Sequence, residues 1–350
     1  MHNIDIAGSC TYNEIQSQGD IWRKTIDSSP EQFDQLAAWL EKPYDEVIFT
    51  GCGSTHYLSL AAAKTWTYLT GCSARGIPGS EIWYYPDYTF TSLKPRLVAV
   101  SRSGETTETI HALDEFKKRV GDEGLVISCY PESNMVRSSS FTLLAKDAQE
   151  TSVAQTRSFS SMYILAQLLA AAASGNKGFS NELSQLPGAL PNLVSKNEEL
   201  VKTIGFDPKY QHFVFLGSGV NYGLASETML KMKEMSTSVS EVFSFMEFRH
   251  GPMSVITNNS LVIGFISDSR KSEEMKVLSD MKSLGATTLA MIENEKDSIA
   301  DFTIGLESGV SELARGALYL PLLQLLGYYH AISKGLDPDY PTNLSSVVYL

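Results

Sequence analysis

Glu234 closes the run Lys231-Met232-Lys233-Glu234, and His250 stands in Glu247-Phe248-Arg249-His250-Gly251-Pro252. A carboxylate can lift a carbon-bound proton beside a carbonyl, and an imidazole titrates near neutrality and shuttles protons on oxygen. Lys231, three residues before Glu234, shares its face if the stretch is helical, so its ammonium can support the carboxylate. Taken singly, Lys-x-x-Glu pairs are common on solvated helix faces, and a histidine before Gly-Pro also serves as a loop residue. The group acquires meaning only beside a substrate site.

Ser101-Arg102-Ser103-Gly104-Glu105-Thr106-Thr107 offers one. It follows the apolar run Leu97 to Val100 and opens a helical pattern, with hydroxyls around a glycine that lets backbone approach an anion closely; this is the composition of a phosphate cradle. Serine and threonine are also ordinary helix N-caps, so spacing alone leaves both readings open. Gly51-Cys52-Gly53-Ser54-Thr55-His56 is a second such loop. It lacks the third glycine of the GxGxxG fingerprint, as does Leu216-Gly217-Ser218-Gly219, and the chain has no GxxxxGK[ST]. No nicotinamide cofactor and no ATP are expected. His2, His56, His111, His212 and His330 show no metal-ligand spacing, so the expectation is chemistry without metal or cofactor.

These residues need elements to place them. Val47 to Phe49 enters the first glycine turn and is followed by a helical pattern from Leu58; Phe213 to Leu216 enters the second and is followed by another. The chain therefore repeats strand, glycine turn, helix. Leu97 to Val100 and Gly124 to Ser128 add strands to the first half, Leu261 to Ile266 and Thr287 to Met291 to the second. Short apolar runs without alternation indicate strands covered on both faces, with helices such as Glu105 to Val120 and Ser272 to Leu284 between them. Two parallel α/β sheets result. The expected subdomains span 1–180, with helices over Thr11 to Ile26 and Pro30 to Glu41 ahead of the first sheet, and 195–350, with a C-terminal tail. Ser174 to Gly178 and Leu186 to Pro191 are read as breakers at the join, and the tail after Gly335, carrying Pro338 and Pro341, is expected to wrap the surface or reach a site.

Twenty-eight Lys plus Arg against forty Asp plus Glu give a net charge of −12, which disfavours nucleic acid and anionic membrane as partners. An anionic substrate must then be held by backbone N–H groups, hydroxyls and a few placed cations. The N-terminus carries no secretory pattern and no apolar run approaches a membrane span, so a cytoplasmic protein is expected. Cys10, Cys52, Cys72 and Cys129 form no CxxC pair and are read as idle thiols.

Cys52-Gly53-Ser54-Thr55, Ser101 to Thr106, Lys231 to Glu234 and Phe248 to Pro252, in this order, resemble the sugar isomerase (SIS) domain family over nearly the whole chain. The likeness is to the isomerase half of glucosamine-6-phosphate synthase and to the ketose/aldose-phosphate isomerase branch that includes galactosamine-6-phosphate deaminase/isomerases. It implies two tandem SIS subdomains, each flavodoxin-like or Rossmann-like. It implies that Thr55, Ser101, Ser103 and Thr106 hold the sugar phosphate, with Arg102 where the synthase has Gln, and that Cys52, Gly53 and Ser54 also bind the substrate. Glu234 would move the proton between C1 and C2, and His250 would open the ring, entering from the neighbouring subunit of a homodimer. Lys231 would lie near the substrate's oxygens, Val153 and Gln155 would line the sugar, and Ser345 and Ser346 would stand where the tail meets it. Ser346 replaces the lysine with which the synthase forms a Schiff base. With no stretch for a glutaminase domain, the expectation is an amino-sugar-phosphate isomerase or deaminase that releases ammonia. The alternatives are a fructosamine-6-phosphate deglycase and a non-catalytic sugar-phosphate sensor, with a purely structural role the remotest.

Overall fold

The computed structural model describes residues 7–121 and 124–346. It contains two five-stranded sheets whose neighbouring strands all run parallel. The first holds β1 (Glu46–Gly51), β2 (Ser73–Pro78), β3 (Pro95–Val100), β4 (Leu125–Ser128) and β5 (Phe141–Leu144), in the order β2-β1-β3-β4-β5. The second holds β6 (His212–Leu216), β7 (Val239–Phe243), β8 (Ser260–Phe265), β9 (Thr287–Ile292) and β10 (Phe302–Gly305), in the order β10-β9-β8-β6-β7. Counted from the first strand of each half, the two orders are the same, so the expected α/β repeat is present.

The six strands expected from sequence are the interior strands of the two sheets. Val47, Ile48, Phe49, Leu97, Val98, Phe213, Val214, Val262 and Leu289 are fully buried, as strands covered by helices on both faces must be. The remaining strands, β2, β5, β7 and β10, are the sheet edges, and their side chains are largely half-exposed. In the first sheet, Ile48 and Leu97 pack with Ile82, Ala112 and Phe116, which brings the helix Thr107–Val120 against β1 and β3. The helices Thr107–Val120 and Lys271–Ser283 lie where the periodicity places them.

Two expected breaks are absent. Pro30 lies inside a continuous helix, Gln18–Gln35, where it deprives the Ile26 carbonyl of its N–H partner; the Ser29 hydroxyl donates to that carbonyl instead, at 2.8 Å. Leu186 to Pro191 likewise begins a helix, Leu186–Phe206, rather than interrupting the chain. Pro187 sits in its first turn, where no N–H is needed, and Pro191 forfeits one bond in a helix of twenty-one residues.

The chain divides into two compact units that do not follow chain order. The first-sheet unit comprises Ser17–Glu150, Arg157–Pro187 and the tail from Ser345; the second-sheet unit comprises the segment ending at Gln16, Thr151–Thr156 and Gly188–Leu344. Asp339 explains one of these exchanges, since its carboxylate accepts from Cys10 N, Thr11 N and the Thr11 hydroxyl and so fixes the helix Ser9–Gln16 in the second-sheet unit. Among the described residues no helix is long and apolar enough to cross a membrane.

Candidate functional site

In an open parallel sheet the ligand crevice lies beyond the carboxyl ends of the two strands where strand order reverses. In the first sheet those strands are β1 and β3. The loops that leave them are Cys52-Gly53 and Ser101 to Thr106, the two expected from sequence.

At the first loop Gly53 has φ +56° and ψ −124°, a conformation open to glycine and strained for other residues. Cys52 N donates to Thr55 Oγ1 at 2.9 Å and the Thr55 hydroxyl donates back to Cys52 O at 3.0 Å, so Thr55 closes the turn onto its own backbone. Ser54 begins the helix Ser54–Thr70. The Cys52 sulfur sits 3.5 Å from Thr109 Oγ1, and burial pushes its thiol above the usual range, which disfavours the thiolate.

At the second loop the hydroxyls form a linked row. Ser101 Oγ accepts from Gly104 N at 3.1 Å and lies 3.3 Å from Thr106 Oγ1, while Ser103 Oγ accepts from Glu105 N at 3.2 Å. Thr106 occupies the N-cap position of the helix Thr107–Val120 but makes no side-chain cap. Gly104, at φ +65°, is pressed against the next loop: a Cβ there would lie 2.1 Å from Ser133 Oγ. Ser133 Oγ is itself buried and takes no hydrogen bond among the described residues. The Glu105 carboxylate turns away to Asn134 N and Nδ2, at 2.7 and 2.6 Å.

The second sheet repeats this architecture with a different filling. Its order reverses between β6 and β8, and Gly219 has φ +61° and ψ −124°, matching Gly53. After β8, however, carboxylates of the chain itself take the loop: Glu274 accepts from Ser267 N at 2.7 Å and Glu312 from Asp268 N at 2.8 Å. No carboxylate accepts from the backbone of Ser103 to Thr106 among the described residues. The loop after β8 thus has backbone amides taken by carboxyl groups of the chain, and the loop after β3 has none taken so among the described residues.

Arg102 is buried beside this cradle but spends its guanidinium elsewhere. It pairs with the buried Glu150 at 3.2 Å and donates to Ser346 O at 3.1 Å. Glu150 in turn accepts from Ser158 N at 3.0 Å, at the start of the helix Arg157–Ser174. Ser346 and Ser345 thus belong to the same unit as the cradle, with the tail tied down through its backbone.

The acid and base candidates lie in the second-sheet unit. The helix Val220–Ser236 places Glu227, Lys231 and Glu234 on one face. The Lys231 side chain is 1% exposed, with Nζ 3.3 Å from Glu227 Oε1 and hydrogen-bonded to Glu234 Oε2. Burial alone would pull the Lys231 ammonium down, but Glu227 and Glu234 outweigh it and hold the group above its ordinary range. It stays a cation, unsuited to forming an imine. The Glu234 side chain remains 20% exposed, so its carboxylate is the member of the trio open to a ligand. Glu227, four residues before Lys231, escaped the sequence reading although that spacing announces it.

His250 is exposed on the turn after the helix Phe245–Phe248, followed by Gly251 at φ +124°. No hydrogen bond joins it to Glu234 among the described residues. Val153 and Gln155 lie on the segment Thr151–Thr156 of the same unit, and Gln155 Oε1 is buried without a hydrogen-bond partner among the described residues.

The profile of the SIS domain family matches residues 43–172 and 209–325. The glutamine–fructose-6-phosphate aminotransferase (isomerizing) of Sulfurisphaera tokodaii is 29% identical over 340 residues, covering 96% of this chain and 55% of that protein. The chain spans about half the length of the curated relatives it matches. Among solved structures, the glucosamine-6-phosphate deaminase of Thermotoga maritima is 30% identical with a TM-score of 0.82, covering 98% of this chain and 100% of that one. A Clostridium novyi protein proposed to be a tagatose-6-phosphate ketose/aldose isomerase is 25% identical with a TM-score of 0.87, over 98% and 94% of the two chains.

Proposed function

The chain belongs to the SIS domain family, and we propose that it is a phosphosugar isomerase whose substrate is an amino-sugar 6-phosphate, converted to a ketose 6-phosphate with release of ammonia. The observation that carries this reading is the cradle after β3, a row of hydroxyls and backbone at the first switch point whose amides from Ser103 to Thr106 meet no carboxylate among the described residues, where the second sheet's counterpart has amides taken by Glu274 and Glu312. Such a cradle suits a phosphate dianion in a protein of net charge −12, because it needs no positive surface.

The chemistry follows from the residue types. His250 opens the sugar ring by moving a proton between ring oxygen and C1 hydroxyl. Glu234 then takes the C2 proton of the open aldosamine as the C1 oxygen gains one, leaving an enolamine, and returns it to C1 as the nitrogen gives one up, leaving a ketimine. Water adds to the ketimine carbon and ammonia leaves, so atoms balance without a second substrate. Lys231, held charged between two carboxylates, steadies Glu234 and does not act as a nucleophile. Ser346 cannot form an imine with a ketose, and the route above does not require one. The name of the Thermotoga maritima relative, a glucosamine-6-phosphate deaminase, points the same way.

The test is to incubate the protein with glucosamine 6-phosphate, galactosamine 6-phosphate and a fructosamine 6-phosphate, following ammonium and ketose phosphate together. Stoichiometric ammonium and ketose phosphate from an aldosamine are expected. Amino-acid release from the fructosamine alone marks a deglycase, and tight binding without turnover marks a sensor; either overturns the proposal. Glu234→Gln should lower kcat by about 10²- to 10⁴-fold, the usual worth of a general base, while phosphosugar affinity stays within about threefold. Full activity in that variant refutes the role of Glu234.

A further inference from the structure

Glu14 is a carboxylate that the proposed chemistry does not use, and it is 4% exposed. Burying a carboxylate is costly unless it is fully hydrogen-bonded, so the identity of its partners shows what it is there to hold. Three of them belong to the segment Thr151–Thr156. Thr151 N donates to Glu14 Oε1 at 2.6 Å, Ser152 N donates to the same oxygen at 3.3 Å, and the Ser152 hydroxyl bonds Oε2.

The helix Ser9–Gln16 that carries Glu14 is itself braced at both ends within the second-sheet unit. Asp339 accepts from Cys10 N and Thr11 N at its start. Toward its end Tyr12 and Gln16 donate to Glu198, which also takes the Tyr329 hydroxyl at 2.6 Å. The segment has three more anchors: Val153 N donates to Asp339 O at 3.1 Å, Thr156 O accepts from Gln324, and Ala154 packs against Met235 and Ala331. Met235 is the neighbour of Glu234. What these anchors leave unspent is Gln155 Oε1, buried and without a hydrogen-bond partner among the described residues.

We propose that Glu14 is a positioning residue for sugar recognition, fixing Thr151–Thr156 in the shape that turns Val153 and Gln155 toward the sugar's hydroxyl and amino groups. The inference rests on the reading above that this segment lines the sugar. It goes beyond that reading in assigning the segment's shape to a residue far away in sequence.

Glu14→Leu and Glu14→Gln separate positioning from bulk structure. Leucine fills the volume and takes the carboxylate acceptor away from both amides. Glutamine keeps Oε1 as acceptor, and its amide N–H can donate to the Ser152 hydroxyl, which can then donate to Ala154 O, already 3.1 Å away. Binding of glucosamine 6-phosphate, galactosamine 6-phosphate and inorganic phosphate is measured by calorimetry, and amide hydrogen exchange is followed at Thr151 and Ser152. Glu14→Leu is expected to weaken the better-bound phosphosugar about tenfold or more, leave inorganic phosphate within about twofold, and speed exchange at both amides. Glu14→Gln is expected to stay within about threefold of wild type.

Wild-type phosphosugar affinity in Glu14→Leu overturns the inference alone. So does a glutamine variant as weak as the leucine one, or an equal loss for inorganic phosphate. A wild type that binds the phosphosugars no tighter than inorganic phosphate overturns the reading of the segment as sugar-lining, and the inference with it. Should Glu14→Leu not fold, Ser152→Ala removes the hydroxyl's bonds to Glu14 and Ala154 O but leaves both amide bonds, and is expected to give a smaller loss of the same pattern; no loss there also overturns the inference.

Discussion

Lys231 is a buried cation whose nearest groups are carboxylates one turn to either side, Glu227 and Glu234. Removing one partner of a buried charge group costs far more than removing the group as a whole, because the remaining charge is stranded in low dielectric. Lys231→Met should therefore destabilise the protein by about 3–5 kcal/mol in urea unfolding, since it removes the ammonium 3.3 Å from the fully buried Glu227 carboxylate. The double variant Lys231→Met with Glu227→Gln should recover most of that loss. If the single variant costs under about 1 kcal/mol, the trio is solvated and its electrostatic account is wrong. At this scale the sequence disclosed residue types and spacing but not commitments. Thr55 and Arg102, both read as phosphate contacts, also have structural duties: Thr55 ties its own turn, and Arg102 joins Glu150 to the tail carbonyl. Nothing local in Ser101 to Thr106 announces Glu150, because the pairing depends on how the strand-end loop and the start of the helix Arg157–Ser174 meet.

The two helix-opening loops after β3 and β8 are one element written twice with different acceptors for their amides, and Glu274 is where the second copy can be tested. Its carboxyl is buried, and desolvation pushes it up from 4.5 to about 7 against the hydrogen bonds from Ser267 that pull it down. A carboxyl raised on folding favours the protonated folded state. Its stabilising contribution is fully present below the unfolded value of 4.5 and is lost as pH rises through about 7. Glu274→Gln, permanently neutral, should thus raise Tm relative to wild type at pH 8 and change it little at pH 5. A larger gain at pH 5 than at pH 8 refutes the assignment. Strands were legible in the sequence in proportion to their burial. The interior strands β1, β3, β4, β6, β8 and β9 stand out as apolar runs, whereas the edge strands mix polar and apolar residues because one margin faces away from the sheet. The helices Arg157–Ser174 and Tyr319–Ser333 are apolar around their whole circumference and show no amphipathic period to read. Pro30 and Pro191 misled for a different reason: a serine hydroxyl can cover the orphaned carbonyl, and a long helix tolerates one lost bond.

At the scale of the molecule, the internal repeat was plain from sequence, but the composition of the two units was not, because it turns on pairings hundreds of residues apart such as Asp339 with Thr11. The arrangement of His250 belongs to the same class of property. It stands exposed on a turn while Glu234 sits in the last turn of the helix Val220–Ser236, and no hydrogen bond links them among the described residues. The family resemblance implies a homodimer in which this imidazole enters the neighbouring copy's site, and such a role needs an exposed side chain, as His250 has. A closed dimer with isologous contacts would then build each site from Glu234 of one copy and His250 of the other. Glu234→Gln and His250→Ala variants, each inactive alone, should complement on mixing. With random subunit exchange, half of the dimers are mixed, and each mixed dimer has one site with both groups intact and one with neither. Activity should therefore return to about one quarter of wild type. Mixtures that stay inactive after subunit exchange has been verified by mass spectrometry would place both groups in a site built by a single chain.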